Sequence, residues 1–151
     1  MQTRDGTIAE PDTPVGRLNL RPPVVIAADT TIRSVAATLR AENIASVLID
    51  TRPSSFATER DLVQALADGL DASLPITQIA TMAPVWVPPT LSVVNAAALM
   101  VRMGLRHLPI LDHSGHALGV LSMRDAFDVL LQSVEPSRWL ASFESFLRVD
   151  Y

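Results

Sequence analysis

The sequence predicts an α/β protein built from one βαββα unit present twice, with an extra C-terminal helix. Three observations predict it. Residues 22–44, "PPVVIAADTTIRSVAATLRAENI", align under residues 83–105, "APVWVPPTLSVVNAAALMVRMGL", at an offset of 61. The helices in both copies stop at a residue type that tolerates the left-handed conformation, Asn43 in one and Gly104 in the other. A polar knot between two apolar runs also occurs twice, as Thr58-Glu59-Arg60-Asp61 and as Ser122-Met123-Arg124-Asp125.

Each copy opens with a short apolar strand that follows proline. A helix comes next: Ile32, Val35, Ala36 and Leu39 in the first copy, and Val93, Ala96, Ala97 and Met100 in the second, recur at i, i+3, i+4 and i+7. The strands "ASVLID" and "RHLPILD" follow, ending at Asp50 and Asp112. In the second copy "HSGH" turns into the strand "ALGVLS", a hairpin pattern. The first copy is three residues shorter here, since its knot lies 64 rather than 61 positions before its counterpart, and Pro53 limits strand pairing at the same place. Each knot opens a second helix, with Leu62, Ala65 and Leu66 matching Ala126, Val129 and Leu130. The expected boundaries are a flexible leader over 1–17, repeats over 18–78 and 79–133, and an amphipathic helix over 134–151. Pro136 suits the first turn of that helix, and Trp139, Leu140, Phe143, Phe146 and Leu147 form its apolar stripe. A unit of about 50 residues buries too little surface to fold by itself, so the two repeats are expected to pack together.

Composition excludes several chemistries. The 151 residues include no cysteine, which removes disulfides, thiolate nucleophiles and cysteine-based zinc sites. All 12 basic residues are arginine, so Schiff-base chemistry and lysine-dependent phosphate loops are absent. A formal charge of −4 with scattered arginines argues against nucleic acid as a partner. Charge or proline interrupts every apolar run before the roughly 20 residues that a bilayer span needs. The first twenty residues lack a secretory apolar core, so the expected location is cytoplasmic, with no membrane partner.

Tandem βαββα repeats with these helix stops, an "LPILD" strand and "GVLSMRD" opening the last helix resemble CBS domains, named after cystathionine β-synthase. Such domains occur in pairs called Bateman modules, and the resemblance covers roughly residues 18–133. "SFATERD" keeps Thr58, Arg60 and Asp61 but has Ser55 where glycine is usual. The resemblance implies a stand-alone regulatory CBS pair that binds AMP, ADP, ATP or S-adenosylmethionine in clefts between the repeats and acts on an unidentified partner protein. It implies a homodimer, no required cofactor and no catalysis. It also implies that Asp125 and Asp61 hold ribose hydroxyls, that Ser122 and Thr58 face phosphates, and that Arg106 and His107 contact phosphate beside Asp125. The matching positions in the first repeat are the uncharged Ala45 and Ser46. Val24 and Val85, with Trp86 nearby, would line the adenine.

The chemistry of the knot agrees with that role. A carboxylate in the first helical turn sits beside free N–H groups and the positive end of the helix dipole. Ionised Asp can accept two hydrogen bonds at once, matching vicinal ribose hydroxyls, while first-turn amides and a Ser or Thr hydroxyl receive phosphate oxygens. Arg60 and Arg124 serve either as bidentate phosphate ligands or as solvated surface charges. A capping box explains the hydroxyl and the carboxylate without any ligand, and the two roles can coexist. Trp86 reads either as a stacking platform or as core.

Two alternatives remain at this level. The first is a structural or dimerisation module with degenerate, empty clefts, favoured by the shortened hairpin, Ala45-Ser46 and the aromatic tail. The second is an enzyme, for which no nucleophile, base and orienting group stand together. Asp112, His113 and His116 read as an exposed hairpin turn, and no metal site is assigned.

Overall fold

The computed structural model describes residues 1–51, 54–82 and 84–134. Pro53, Ala83 and the predicted C-terminal helix with its aromatic stripe lie outside the described residues. The chain divides into two compact units. Pro22–Trp86 forms one, while Met1–Arg21 joins the chain from Val87 onward in the other.

In the Pro22–Trp86 unit, β1 (Val25–Ala27) runs parallel to β2 (Ser46–Asp50), and β2 pairs antiparallel with β3 (Ser55–Thr58). The helices are α1 (Ile32–Glu42) and α2 (Glu59–Ala67). Thr31 caps α1, its hydroxyl accepting from Ser34 N at 3.2 Å, and Asn43 ends it at φ 51°. The second unit repeats the plan with α3 (Val93–Met103), β4 (His107–Leu111), β5 (Ala117–Ser122) and α4 (Met123–Gln132). Ser92 caps α3 and Gly104 ends it at φ 65°. The α/β fold is therefore observed, with βαββα complete in the first unit and αββα in the second, and no helix among the described residues is long and apolar enough to cross a membrane.

The cores match position by position. Buried Ile32, Val35, Leu39, Val47 and Ile49 correspond, 61 positions on, to buried Val93, Ala96, Met100, Leu108 and Ile110. The opening strand of the second repeat departs from expectation. It shrinks to a single parallel bridge, Val87 with Ile110. In the first unit Leu48 N donates to Val24 O at 2.9 Å, but the residue matching Leu48 is Pro109, which has no N–H to offer Val85. Pro88 and Pro89 then remove two more donors.

The leader, expected to be flexible, is packed. A 3-10 turn at Val15–Arg17 buries Val15 and Leu18 completely. This turn docks against the second repeat: Val15 N donates to Leu91 O, Val93 N to Thr13 O, and Val94 N to Pro11 O, at 2.8–3.0 Å. The Ile76–Gln78 turn makes the same three bonds to the first repeat, from Ile76 N to Thr30 O, Ile32 N to Leu74 O, and Arg33 N to Ala72 O. All six residue pairs obey the offset of 61. Each connecting segment thus completes the unit that does not follow it in sequence.

The same exchange explains Ser55. Its counterpart is Gly119, where a Cβ would lie 3.0 Å from Leu20 Cβ and 3.4 Å from Arg21 O. In the first unit Thr81 replaces Leu20, and Ser55 fits fully buried, its hydroxyl bonded to Thr51 Oγ1 at 2.8 Å and to Met82 Sδ at 3.1 Å.

Candidate functional site

Both knots occupy the junction of a strand with a helix. β5 ends at Ser122 in extended conformation (φ −88°, ψ 157°), and α4 starts at Met123. Asp125 Oδ2 accepts from Ser122 Oγ at 2.6 Å and from Ser122 N at 3.1 Å, while Ser122 Oγ accepts from Asp125 N at 3.1 Å. In the other unit Asp61 Oδ2 accepts from Thr58 Oγ1 and from Thr58 N, each at 2.7 Å. Both are capping boxes. Every bond to either carboxylate ends on Oδ2. Among the described residues, no hydrogen bond reaches Oδ1 of either carboxylate, and both Asp side chains are half-buried. Each acid therefore holds its helix start with one oxygen and has lone pairs left on the other.

The sheet register brings the predicted basic pair to the second knot. His107 lies directly opposite Ser122 in the β4/β5 ladder, and Met123 N donates to Arg106 O at 2.8 Å. Arg106 is exposed and His107 half-buried. The first unit repeats the backbone arrangement, with Ser46 opposite Thr58 and Glu59 N bonded to Ala45 O at 3.0 Å. Its side chains bring no charge to that place. Arg60 and Arg124 are both exposed on the first turns of their helices. Val24 packs half-buried against the core of the first unit, its carbonyl already taken by Leu48 N. Val85 and Trp86 are half-buried at the end of that unit.

Asp112 builds its turn, Oδ1 accepting from Ser114 N at 2.8 Å and from His116 N at 2.9 Å. The bond from His116 N, followed by that from Ser114 N, holds its carboxyl below the usual range despite some desolvation. Sequence reasoning missed the close approach of Leu20 to Gly119. The signal was present, since Leu20 and Thr81 stand 61 positions apart.

A family model described as the CBS domain matches residues 10–68 and again 76–132. The chain belongs to the CBS-domain family. It is 34% identical over 110 residues to an uncharacterized 17.7 kDa protein of Acidianus ambivalens, covering 71% of this chain and 66% of that relative, just under two thirds of its length. Among solved structures it is similar to a CBS domain protein from Pyrobaculum aerophilum complexed with AMP: 31% identity, TM-score 0.68, 84% of this chain and 95% of the other. It also matches the CBS domain pair of a protein solved with 5-methylthioadenosine and S-adenosyl-L-methionine at 21% identity and TM-score 0.70, over 79% and 96% of the two chains, which shows shared fold alone. The two family-model matches and the two knots make the chain a CBS-domain pair.

Proposed function

We propose that this CBS pair is a regulatory sensor that binds an adenosine ligand, AMP, ADP, ATP or S-adenosylmethionine, and acts on a partner protein without catalysis of its own. It works as a cytoplasmic homodimer. The observation that carries the reading is Oδ1 of Asp125, which has no hydrogen bond among the described residues and lies half-buried at a helix start, in a unit whose register sets Arg106-His107 beside the same knot. The acid would take ribose hydroxyls through that oxygen, and Arg106, His107 and Ser122 would take phosphate. Thr58, Arg60 and Asp61 offer the same grip without the basic pair, so that site holds phosphate more weakly. Val24 and Val85 would form adenine walls. The AMP complex of the 31% identical relative supports the ligand class.

Calorimetry with AMP, ATP and S-adenosylmethionine tests this reading. Saturable binding of at least one ligand is expected, weakened about 10- to 100-fold in Asp125→Ala, as loss of a bond to a charged group costs about 1.5–3 kcal/mol. Equal affinity in the two proteins defeats it. A second reading, a structural module with unused clefts, is favoured by the capping bonds both acids already make and by the uncharged Ala45-Ser46. Silence of every nucleotide in a thermal-shift panel favours that reading, because a ligand at 100 times its Kd would stabilise by about 2.7 kcal/mol.

A further inference from the structure

Two departures from the duplication touch each other. Where one unit has Gly119 and Arg21, the other has Ser55 and Met82, 64 positions before and 61 positions after them. Ser55 is fully buried, and its hydroxyl donates to Met82 Sδ at 3.1 Å. A hydroxyl has one proton to give, so with that proton on sulfur the 2.8 Å contact with Thr51 Oγ1 is one in which Ser55 accepts. The bonds thus run from Thr51 through Ser55 and end on a thioether, a weak acceptor. Met82 itself is 59% exposed. Its sulfur has two lone pairs, of which the Ser55 proton covers one and the exposure of the residue leaves the other toward solvent. Of the remaining methionines, Met100 is buried and Met1 and Met123 are half-buried. Met103 is 51% exposed, and among the described residues no hydrogen bond reaches its sulfur.

We propose that Met82 is a reversible oxidation site at which a peroxide oxidant reaches one sulfur lone pair only, so that a single sulfoxide epimer forms. The solvent-facing lone pair attacks one peroxide oxygen, and the S–O bond forms as the O–O bond breaks. The departing hydroxide takes the proton from the transferred oxygen and leaves as water. Sulfur is oxidised by two electrons and the peroxide is reduced by two. The other lone pair is closed, because an oxygen atom has no room between Sδ and Ser55 Oγ at 3.1 Å, and the oxidant reaches it only after that hydrogen bond opens. The new oxygen, a much stronger acceptor than the thioether, faces water. The Ser55 proton then turns to Thr51 Oγ1, so no buried donor is left unpaired. The fold therefore accepts the oxidised side chain, whereas a sulfoxide at Met100 would set a polar group in the core. Each of the two classes of methionine sulfoxide reductase takes one epimer, so one class alone reverses the change.

The test treats the folded protein with hydrogen peroxide, digests it, and offers the peptides to each reductase class in turn, with mass spectrometry reading the sulfoxide that each removes. Digestion before reduction keeps the fold from biasing the reductases. At Met82 one class is expected to remove about five- to tenfold more than the other, since a hydrogen bond of ordinary net strength must open before the second lone pair reacts. Met103 in the same sample should give the two epimers in comparable amounts. Ser55→Ala adds no bulk and should bring Met82 to the same even split. Ser55→Gly, which copies the residue type at position 119, checks that result where alanine disturbs the strand. Equal removal at Met82 in the wild-type protein, or an excess that survives both substitutions, overturns the proposal. So does a Met82 that stays reduced while Met103 is oxidised.

Discussion

Gly16→Ala is the sharpest test of the exchanged leader. A Cβ built on Gly16 would lie 2.4 Å from Pro89 Cβ, 2.9 Å from Pro89 O and 3.1 Å from Pro89 Cα. The oxygen and Cα are backbone, and Gly16 N is bonded to that same oxygen at 2.9 Å, so no side-chain rotation relieves the clash. Two responses compete. If the 3-10 turn shifts in place, overpacking costs about 1–3 kcal/mol. If the leader releases, the buried Val15 and Leu18 return to water at about 1.5–3 kcal/mol each, and the bonds to Leu91, Val93 and Val94 are lost as well. The local shift is cheaper and prevails. Alanine also restricts the unfolded chain, which returns about 0.4–1 kcal/mol, leaving a net loss of about 1–2 kcal/mol. At about 2–4 °C per kcal/mol for a chain of this size, Tm falls by about 2 to 8 °C in thermal unfolding followed by circular dichroism. Thr77 stands 61 positions on, where Ala28 takes the place of Pro89, so Thr77→Ala should change stability by less than about 1 kcal/mol. A Gly16→Ala protein with wild-type Tm refutes the packing argument.

Ser122→Ala removes the hydroxyl that both donates to Asp125 Oδ2 and accepts from Asp125 N, and loss of such a cap costs about 1 kcal/mol in urea unfolding. An unchanged midpoint would show that α4 does not depend on the box. Asp5 accepts from Thr3 Oγ1, from Thr7 N and Oγ1, and from Arg17 Nη2, and these bonds, led by that from Thr3, hold its carboxyl well below the ordinary carboxylate range. Its folded-state value lies below its unfolded one, so the ionised form stabilises the fold above about pH 4 and that contribution fades as pH drops through the folded value. Asp5→Asn should therefore lower Tm at pH 7, with the gap to wild type closing below about pH 4. A gap that persists undiminished at pH 2 would contradict this.

The duplication, both helix stops and the strand-to-helix knots were legible in the residues because they rest on local physics. Periodicity of 3.6, a left-handed Asn43 or Gly104, and a hydroxyl three positions before an acid depend on near neighbours alone. The opening strand of the second repeat was overread for a nonlocal reason. Its pairing depends on a donor from residue 109, and that residue is proline, 24 positions after Val85. The bonds that tie residues 11–15 to Leu91, Val93 and Val94 are nonlocal in the same way, made to partners about 80 positions away.

By itself the sequence determined which residues could cap, turn or grip: the paired Asp61 and Asp125, and Arg106-His107 in one copy only. Tertiary structure alone decided which oxygen each acid has left to offer, that His107 stands across from Ser122, and that the leading turn joins the unit starting at Val87 and not the one it directly precedes. The physical reason is that capping and periodicity are set within a few residues, whereas ladder register and exchanged packing are set by partners tens of positions away.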